Sequence, residues 1–172
     1  MNTLAYIDKK DYDESSTRII SNCVRSIIVV DNKIAMLYSK NFKVYLIPGG
    51  HIEEGETNED ALIREAMEEA GLIVKPSSIK EFGKITTIRK GIWEAEIYEE
   101  HASFYTCEIE DTYFEPDFTA DEKRFDLEFG FVSIDEAISA NEKAIQEGLN
   151  WLDGETHVLK LLKENHLINI SE

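Results

Sequence analysis

The strongest constraint on the fold is a stop followed by a start. Lys43–Ile47 (KVYLI) has the β-branched and aromatic content of a short strand, and Pro48-Gly49-Gly50 ends it. A helix follows with punctuation at both ends. Thr57 is a good N-cap, and Asp60 three residues later gives a capping-box-like pair. Glu59 and Asp60 suit the positive end of the helix dipole, and Gly71 supplies the C-terminal stop. Between these signals Leu62, Ile63, Ala66, Met67 and Ala70 share one face at helical spacing. That stripe predicts a helix packed on a sheet, with its acidic residues turned outward.

The rest of the chain supplies the sheet. Residues 1–17 read as a mostly polar lead-in with one candidate strand at Thr3–Ile7. Arg25–Val30 (RSIIVV) reads as a buried strand, Asp31-Asn32 as a turn, and Lys33–Tyr38 as the returning strand of a hairpin. Beyond Pro76, Ile79–Arg89 and Trp93–Ile109 hold alternating or aromatic runs, and residues 110–124 read as an acidic loop around Pro116. Leu127–Ile134 reads as a final strand. Asp135–Gln146 and Glu155–His166 have helical spacing, the second with Val158, Leu161 and Leu162 inward. The order predicts an α/β fold, a mixed β-sheet covered by helices. At 172 residues one domain is expected, spanning 1–172 and closing with a C-terminal helix at 155–167.

Charge narrows the function. Eighteen Lys and Arg stand against thirty-five Asp and Glu, a net charge of −17. Such a balance argues against a nucleic-acid duplex as partner, since that needs a basic footprint, and against docking on an anionic membrane surface. The excess sits in two segments, −7 over residues 51–69 and −11 over residues 94–128. No run approaches the roughly 18 apolar residues of a membrane span, and the N-terminus has no apolar signal-peptide core. Cys23 and Cys107 lack metal-type spacing and lie in apolar runs, which predicts buried free thiols and a cytoplasmic protein.

Within the first acidic segment, Glu65, Glu68 and Glu69 stand at i, i+3 and i+4, so their carboxylates converge on one helix face. Crowded carboxylates repel, and a divalent cation would remove the penalty; oxygen-only ligands favour Mg²⁺ or Mn²⁺ over zinc. Arg64 adjoins them and could hold one carboxylate through a bidentate pair. A solvated surface presents the same pattern, so the three glutamates alone leave both readings open.

The spacing decides more. From Gly50 the chain runs five residues to Glu56, seven to Arg64-Glu65, two to Glu68-Glu69, one to Gly71, then apolar Leu72. This resembles the Nudix box, Gly-x5-Glu-x7-Arg-Glu-U-x-Glu-Glu-x-Gly-U, where U is a bulky aliphatic. Seven fixed identities match, which by chance happens on the order of once in 10⁸ start positions. Ala66 stands in the first aliphatic place and departs mildly from the pattern. The preceding hairpin, the LIPGG approach and the GFVSIDEA strand-to-helix ending are also placed as in Nudix domains.

The resemblance implies an α/β/α sandwich and a hydrolase that cleaves the pyrophosphate of a nucleoside diphosphate linked to another group. Water is the attacking reagent, and Mg²⁺ or Mn²⁺ the cofactor. It implies that Glu65, Glu68 and Glu69 bind metal, that the Gly50 carbonyl contributes a ligand, that Arg64 orients Glu65, and that Glu56 supports the loop–helix geometry or an outer-shell water. Many relatives carry a further acid late in the fold. Glu122, Asp126 and Glu128 are the candidates here, Glu128 first among them, and a reading of all three as exposed loop charges stands against it.

Other residues carry two readings each. Arg25 could meet a substrate phosphate or form a buried ion pair. His51 is expected to face solvent from its turn. Trp93, Tyr98, Phe104 and Tyr105 could stack on a base but are expected in the core or in cross-strand pairs. The rival to catalysis is a nucleotide-sensing module without turnover, although such domains commonly lose box acids retained here. An isomerase of a prenyl diphosphate would need a catalytic cysteine, and neither Cys23 nor Cys107 lies in a recognisable motif. The long Trp93–Ile109 run could pair at an edge, which is compatible with a homodimer.

Overall fold

A computed structural model describes residues 1–92, 96–117 and 123–165. The helix that the sequence punctuates at both ends forms with both of its caps. Helix α1 spans Asn58–Ala70; the Thr57 side chain accepts the Asp60 amide and Asp60 returns the bond, completing the capping box. Gly71 ends the helix at φ 64°, the left-handed conformation that a glycine adopts without strain.

The core of the sheet system is built from strands with apolar residues on both faces. Strand β2 (Arg18–Ile27) buries Cys23 and Ile27 on one side and Val24 and Ile28, just past its end, on the other. Strand β4 (Lys33–Ser39) does the same with Ile34 and Met36 against Ala35. Strands covered on both faces read as continuous hydrophobic runs, which is why RSIIVV and KIAMLY lack alternation. Helix α1 covers the Val24 side, through Ala61, Leu62, Ala66 and Ala70. Two later helices, α2 (Ile134–Gln146) and α3 (Asp153–Glu164), cover the Cys23 side through Ile134, Ala137, Val158, Leu159 and Leu162. The layers are therefore helix, sheet, helix, as expected for an α/β/α sandwich.

The strands form a mixed arrangement. In chain order β7 (Lys80–Lys90) and β8 (Ile97–Thr106) pair antiparallel, β2 joins β8 in parallel, and β1 (Thr3–Asp8) joins β7 in parallel. Residues 1–17 are thus more than a lead-in, since β1 completes that sheet. A second sheet centres on β4, flanked by β3 (Val29–Val30), β5 (Val44–Leu46) and β10 (Leu127–Val132).

Three expectations are corrected. The hairpin forms, with Asp31 and Asn32 both at positive φ, but only β3 pairs with β4 in it. The residues before Ile28 leave to join β8, a long-range pairing invisible to local pattern. Residues 110–124 are not all loop: β9 (Ile109–Tyr113) pairs antiparallel with β6 (Leu72–Val74). Third, α1 does not turn all its acids outward. Glu65 and Glu69 are each only 6% exposed, while apolar Ile63 and Met67 are half-buried. The buried stripe runs Ala61, Leu62, Glu65, Ala66, Glu69, Ala70, so two of the three glutamates lie within it. Trp93, Glu122 and the end of the C-terminal segment from His166 lie outside the described residues.

Candidate active site

The turn that stops β5 lies over the buried edge of α1. Ser26 and Val24 of β2 donate their amides to the Pro48 and Gly50 carbonyls, at 2.8 and 3.0 Å, and Ile52 donates to Asn22. These bonds lay residues 48–52 along β2 as if they were a strand. Gly49 has φ 146°, and a Cβ there would meet the Val24 carbonyl oxygen at 2.0 Å. A Cβ on Gly50 would meet Glu65 Oε1 at 2.4 Å. The two glycines are needed for close approach, the first to strand β2 and the second to a carboxylate.

The carboxylates are then fixed one by one. The Gly49 amide donates to Glu69 Oε2 at 2.6 Å. Arg64 gives its fork to Glu56, Nε to Oε1 at 2.7 Å and Nη2 to Oε2 at 2.9 Å. Its Nη1 donates to Glu65 Oε1 at 2.7 Å and to Glu68 Oε2 at 3.1 Å, and Nη2 also reaches the His51 carbonyl at 3.0 Å. One guanidinium thus ties three glutamates and the turn together, and its bidentate pair goes to Glu56 rather than Glu65. Glu56 also accepts the Glu53 amide at 2.9 Å. The Arg64 hydrogen bonds, then that amide, hold the Glu56 carboxyl down at about 2. Hydrogen bonding to Glu56 first, and to Glu65 and Glu68 after it, raises Arg64 well above its ordinary value against the opposing pull of burial.

Arg25 takes the ion-pair course. Its Nε donates to Glu155 Oε1 at 3.0 Å, Nη1 to the Gly49 carbonyl, and Nη2 lies 3.9 Å from Glu100. Burial alone would lower its pKa; Cys23, Glu155, Glu100 and Glu69 around it raise it well above the ordinary value. Glu155 also accepts the Ile47 amide at 2.9 Å. Burial pushes the Glu155 carboxyl up, and Arg25 and the Ile47 amide pull against that rise.

The structure brings Gly50, Glu56, Arg64, Glu65, Glu68 and Glu69 into one cluster, with Arg25 on its far side across Gly49. It does not bring Glu128 there. In β10, Phe129 and Phe131 face the core under α1, and alternation turns Glu128 to the opposite side. Its side chain is 64% exposed and lies 3.5 Å from Lys40. His51 is exposed as expected, with Nε2 3.1 Å from the Tyr98 hydroxyl. Phe104 and Tyr105 are buried core residues. Both cysteines are buried, and burial raises the Cys23 thiol far above its ordinary value and pushes Cys107 up to about 12.

Sequence pattern missed Glu155 and the Gly49 amide. A signal for Glu155 did exist. It stands at i relative to Val158, Leu159 and Leu162, an acid on the apolar stripe of an otherwise ordinary amphipathic helix.

Comparisons with known proteins agree with this layout. The family model described as NUDIX domain matches residues 22–152. A protein named ADP-ribose pyrophosphatase, from Methanocaldococcus jannaschii, is 49% identical over 59 residues, 33% of this chain and 35% of that protein. The match therefore spans about a third of that relative's length. Among solved structures, the mutator MutT protein from Bacillus halodurans aligns with a TM-score of 0.56 at 17% identity, over 87% of this chain and 83% of that one. A NUDIX hydrolase from Nitrosomonas europaea gives a TM-score of 0.55 at 17% identity, over 72% and 79%. At such identity the structural likeness is one of fold. The family match, by contrast, runs across most of the chain and takes in the whole glycine–glutamate array: this protein is a member of the Nudix family.

Proposed function

We propose that the chain is a divalent-metal-dependent diphosphohydrolase, cleaving the pyrophosphate of a nucleoside diphosphate linked to another group. The observation that carries this reading is the array of Glu56, Glu65, Glu68 and Glu69 gathered by one arginine against the Gly49-Gly50 turn. Four carboxylates are more than Arg64 alone neutralises, and Glu65 and Glu69 are buried, where uncompensated charge is costly.

The donors suit a hard cation in kind: all are oxygens, as Mg²⁺ and Mn²⁺ prefer. With the side chains as they stand, no group of three His, Cys, Asp or Glu among the described residues could hold a metal ion. Binding therefore needs some rearrangement of these side chains within the hold that Arg64 and the Gly49 amide keep on them. We assign Glu65, Glu68 and Glu69 to hold the cation, with the Gly50 carbonyl beside them. That carbonyl already accepts the Val24 amide and has a second lone pair to offer. When bound, the cation would neutralise phosphate charge and lower the pKa of a bound water. The chain's own part is positioning. Glu56 holds Arg64, Arg64 orients Glu65 and Glu68, and the Gly49 amide orients Glu69. Such pre-set geometry is the main protein contribution to phosphoryl transfer.

The relative from Methanocaldococcus jannaschii makes ADP-ribose the first substrate to test. The panel also contains nucleoside triphosphates, oxidised nucleotides, dinucleoside polyphosphates and nucleotide sugars, each with Mg²⁺ and with Mn²⁺. Turnover should appear with at least one, and Glu69→Gln should remove most of it while the protein stays folded. Phosphate or nucleoside monophosphate release that survives in Glu69→Gln would refute the assignment. A thermal shift with one ligand and turnover of none would identify a nucleotide sensor instead.

A further inference from the structure

Glu155 lies beyond the last residue matched by the family and outside the glutamate array, yet it holds both the residue that enters the turn and the arginine bonded to it. One oxygen accepts the Ile47 amide, at the end of β5, and the other accepts Arg25 Nε. Arg25 in turn donates to the Gly49 carbonyl, and the Gly49 amide donates to Glu69 Oε2 at 2.6 Å. The chain of contacts is continuous: α3 to β2 to the turn to α1. We propose that Glu155, acting through Arg25, is a positioning residue that fixes the backbone at Gly49 and thereby the Glu69 carboxylate.

Three physical features support the relay. First, Gly49 sits at φ 146°, a conformation open to few residues and held by its surroundings, so the two peptides that meet at its Cα each need a fixed partner. Arg25 takes the carbonyl and Glu69 takes the amide. Second, a guanidinium presents several donors in one rigid plane, so Arg25 can hold Glu155 and the Gly49 carbonyl together, as a lysine cannot. Third, Glu155 lies in the first turn of α3, where the helix dipole favours a carboxylate.

The proposal rests on the hydrolase reading for its kinetic consequence but not for its structural one, and the experiment separates them. Glu155→Gln is nearly isosteric and can still accept the Ile47 amide, but it loses the charge that anchors Arg25. Arg25→Lys keeps a charge and loses the fork. For each, kcat and KM are measured with Mg²⁺ and ADP-ribose, or with the panel member the wild type hydrolyses best. Both variants should lower kcat about tenfold with KM within about twofold, the signature of a misplaced group rather than weakened binding. The second readout needs neither substrate nor metal. The chain has nine glycines, so a glycine-labelled sample gives a sparse amide spectrum. In the wild type the Gly49 amide should resonate downfield and exchange at least tenfold more slowly than the exposed Gly55. In Glu155→Gln and Arg25→Lys it should move upfield and exchange faster. A fast-exchanging Gly49 amide in the wild type overturns the relay, whether or not the variants fold. So does a variant with a lowered melting temperature but an unchanged Gly49 amide, which would make Glu155 a purely structural ion pair. If the wild type turns over nothing, the hydrolase reading falls and the amide readout still decides the relay.

Discussion

The two glycines of the turn should fail in different ways when each gains a methyl group. At Gly50 a Cβ would lie 2.4 Å from Glu65 Oε1 and 2.6 Å from its carboxyl carbon, where ordinary contact begins at 3.4 Å. The obstacle is the end of a side chain, so the backbone can stay and the carboxylate must move by about 1 Å. A displacement of that size at a positioned catalytic group costs on the order of 10²-fold in rate. The stability cost is that of modest overpacking, about 1–3 kcal/mol. At Gly49 the obstacle is the Val24 carbonyl oxygen at 2.0 Å, with the Arg25 Cα at 2.9 Å, and both belong to the backbone of a central strand. Strain from the positive φ adds a further 1–3 kcal/mol or so. The two terms together are a large share of a typical folding stability of about 5–15 kcal/mol. Circular dichroism melts and initial rates at saturating substrate with Mg²⁺ separate the cases. Gly50→Ala should melt within several degrees of the wild type and lose most activity; Gly49→Ala should melt far lower or fail to fold. A Gly50→Ala protein with the wild-type rate, or a Gly49→Ala protein that melts higher than Gly50→Ala, would refute the argument from close approach.

Other consequences follow from individual contacts. Glu56 is held at about 2 in the folded protein against an ordinary 4.5, so its contribution to stability is present above pH 4.5 and lost as pH falls toward 2. Melting temperature against pH should therefore fall less steeply over that window in Glu56→Gln, and parallel curves would contradict the Arg64 pairing. Thr57→Ala removes the hydroxyl that accepts the Asp60 amide and should cost about 1 kcal/mol in denaturant titrations, with little change in rate if α1 stays docked. Glu128→Gln should leave kcat unchanged within about twofold, because that side chain faces away from the array; a loss of most activity would show that it reaches the reacting groups.

Much of the site was legible because it is local. Gly50 through Leu72 forms a turn and a helix, so spacing along the chain translates directly into positions in space, and helical geometry alone gathers Glu65, Glu68 and Glu69. The capping box and the Gly71 stop are likewise contacts between near neighbours. What sequence pattern misjudged was the environment of those residues. Hydrophobicity placed Ile63 and Met67 inward and the glutamates outward, yet Glu65 and Glu69 are buried and the two apolar residues half-buried. The cover comes from residues 48–52 lying against β2, and hydrophobicity cannot anticipate a buried carboxylate whose partners are a guanidinium and a backbone amide.

The sequence by itself determined the α/β class, the capped helix and the identity of the glutamate array, since each depends on interactions within a few residues. Only the tertiary structure decided that β2 turns from its expected hairpin to lie parallel with β8, that Glu128 faces away, and that Glu155 reaches the turn through Arg25. The physical reason is sequence distance. The Arg25–Glu155 pair joins residues 130 positions apart, and no local periodicity records which strand faces which helix.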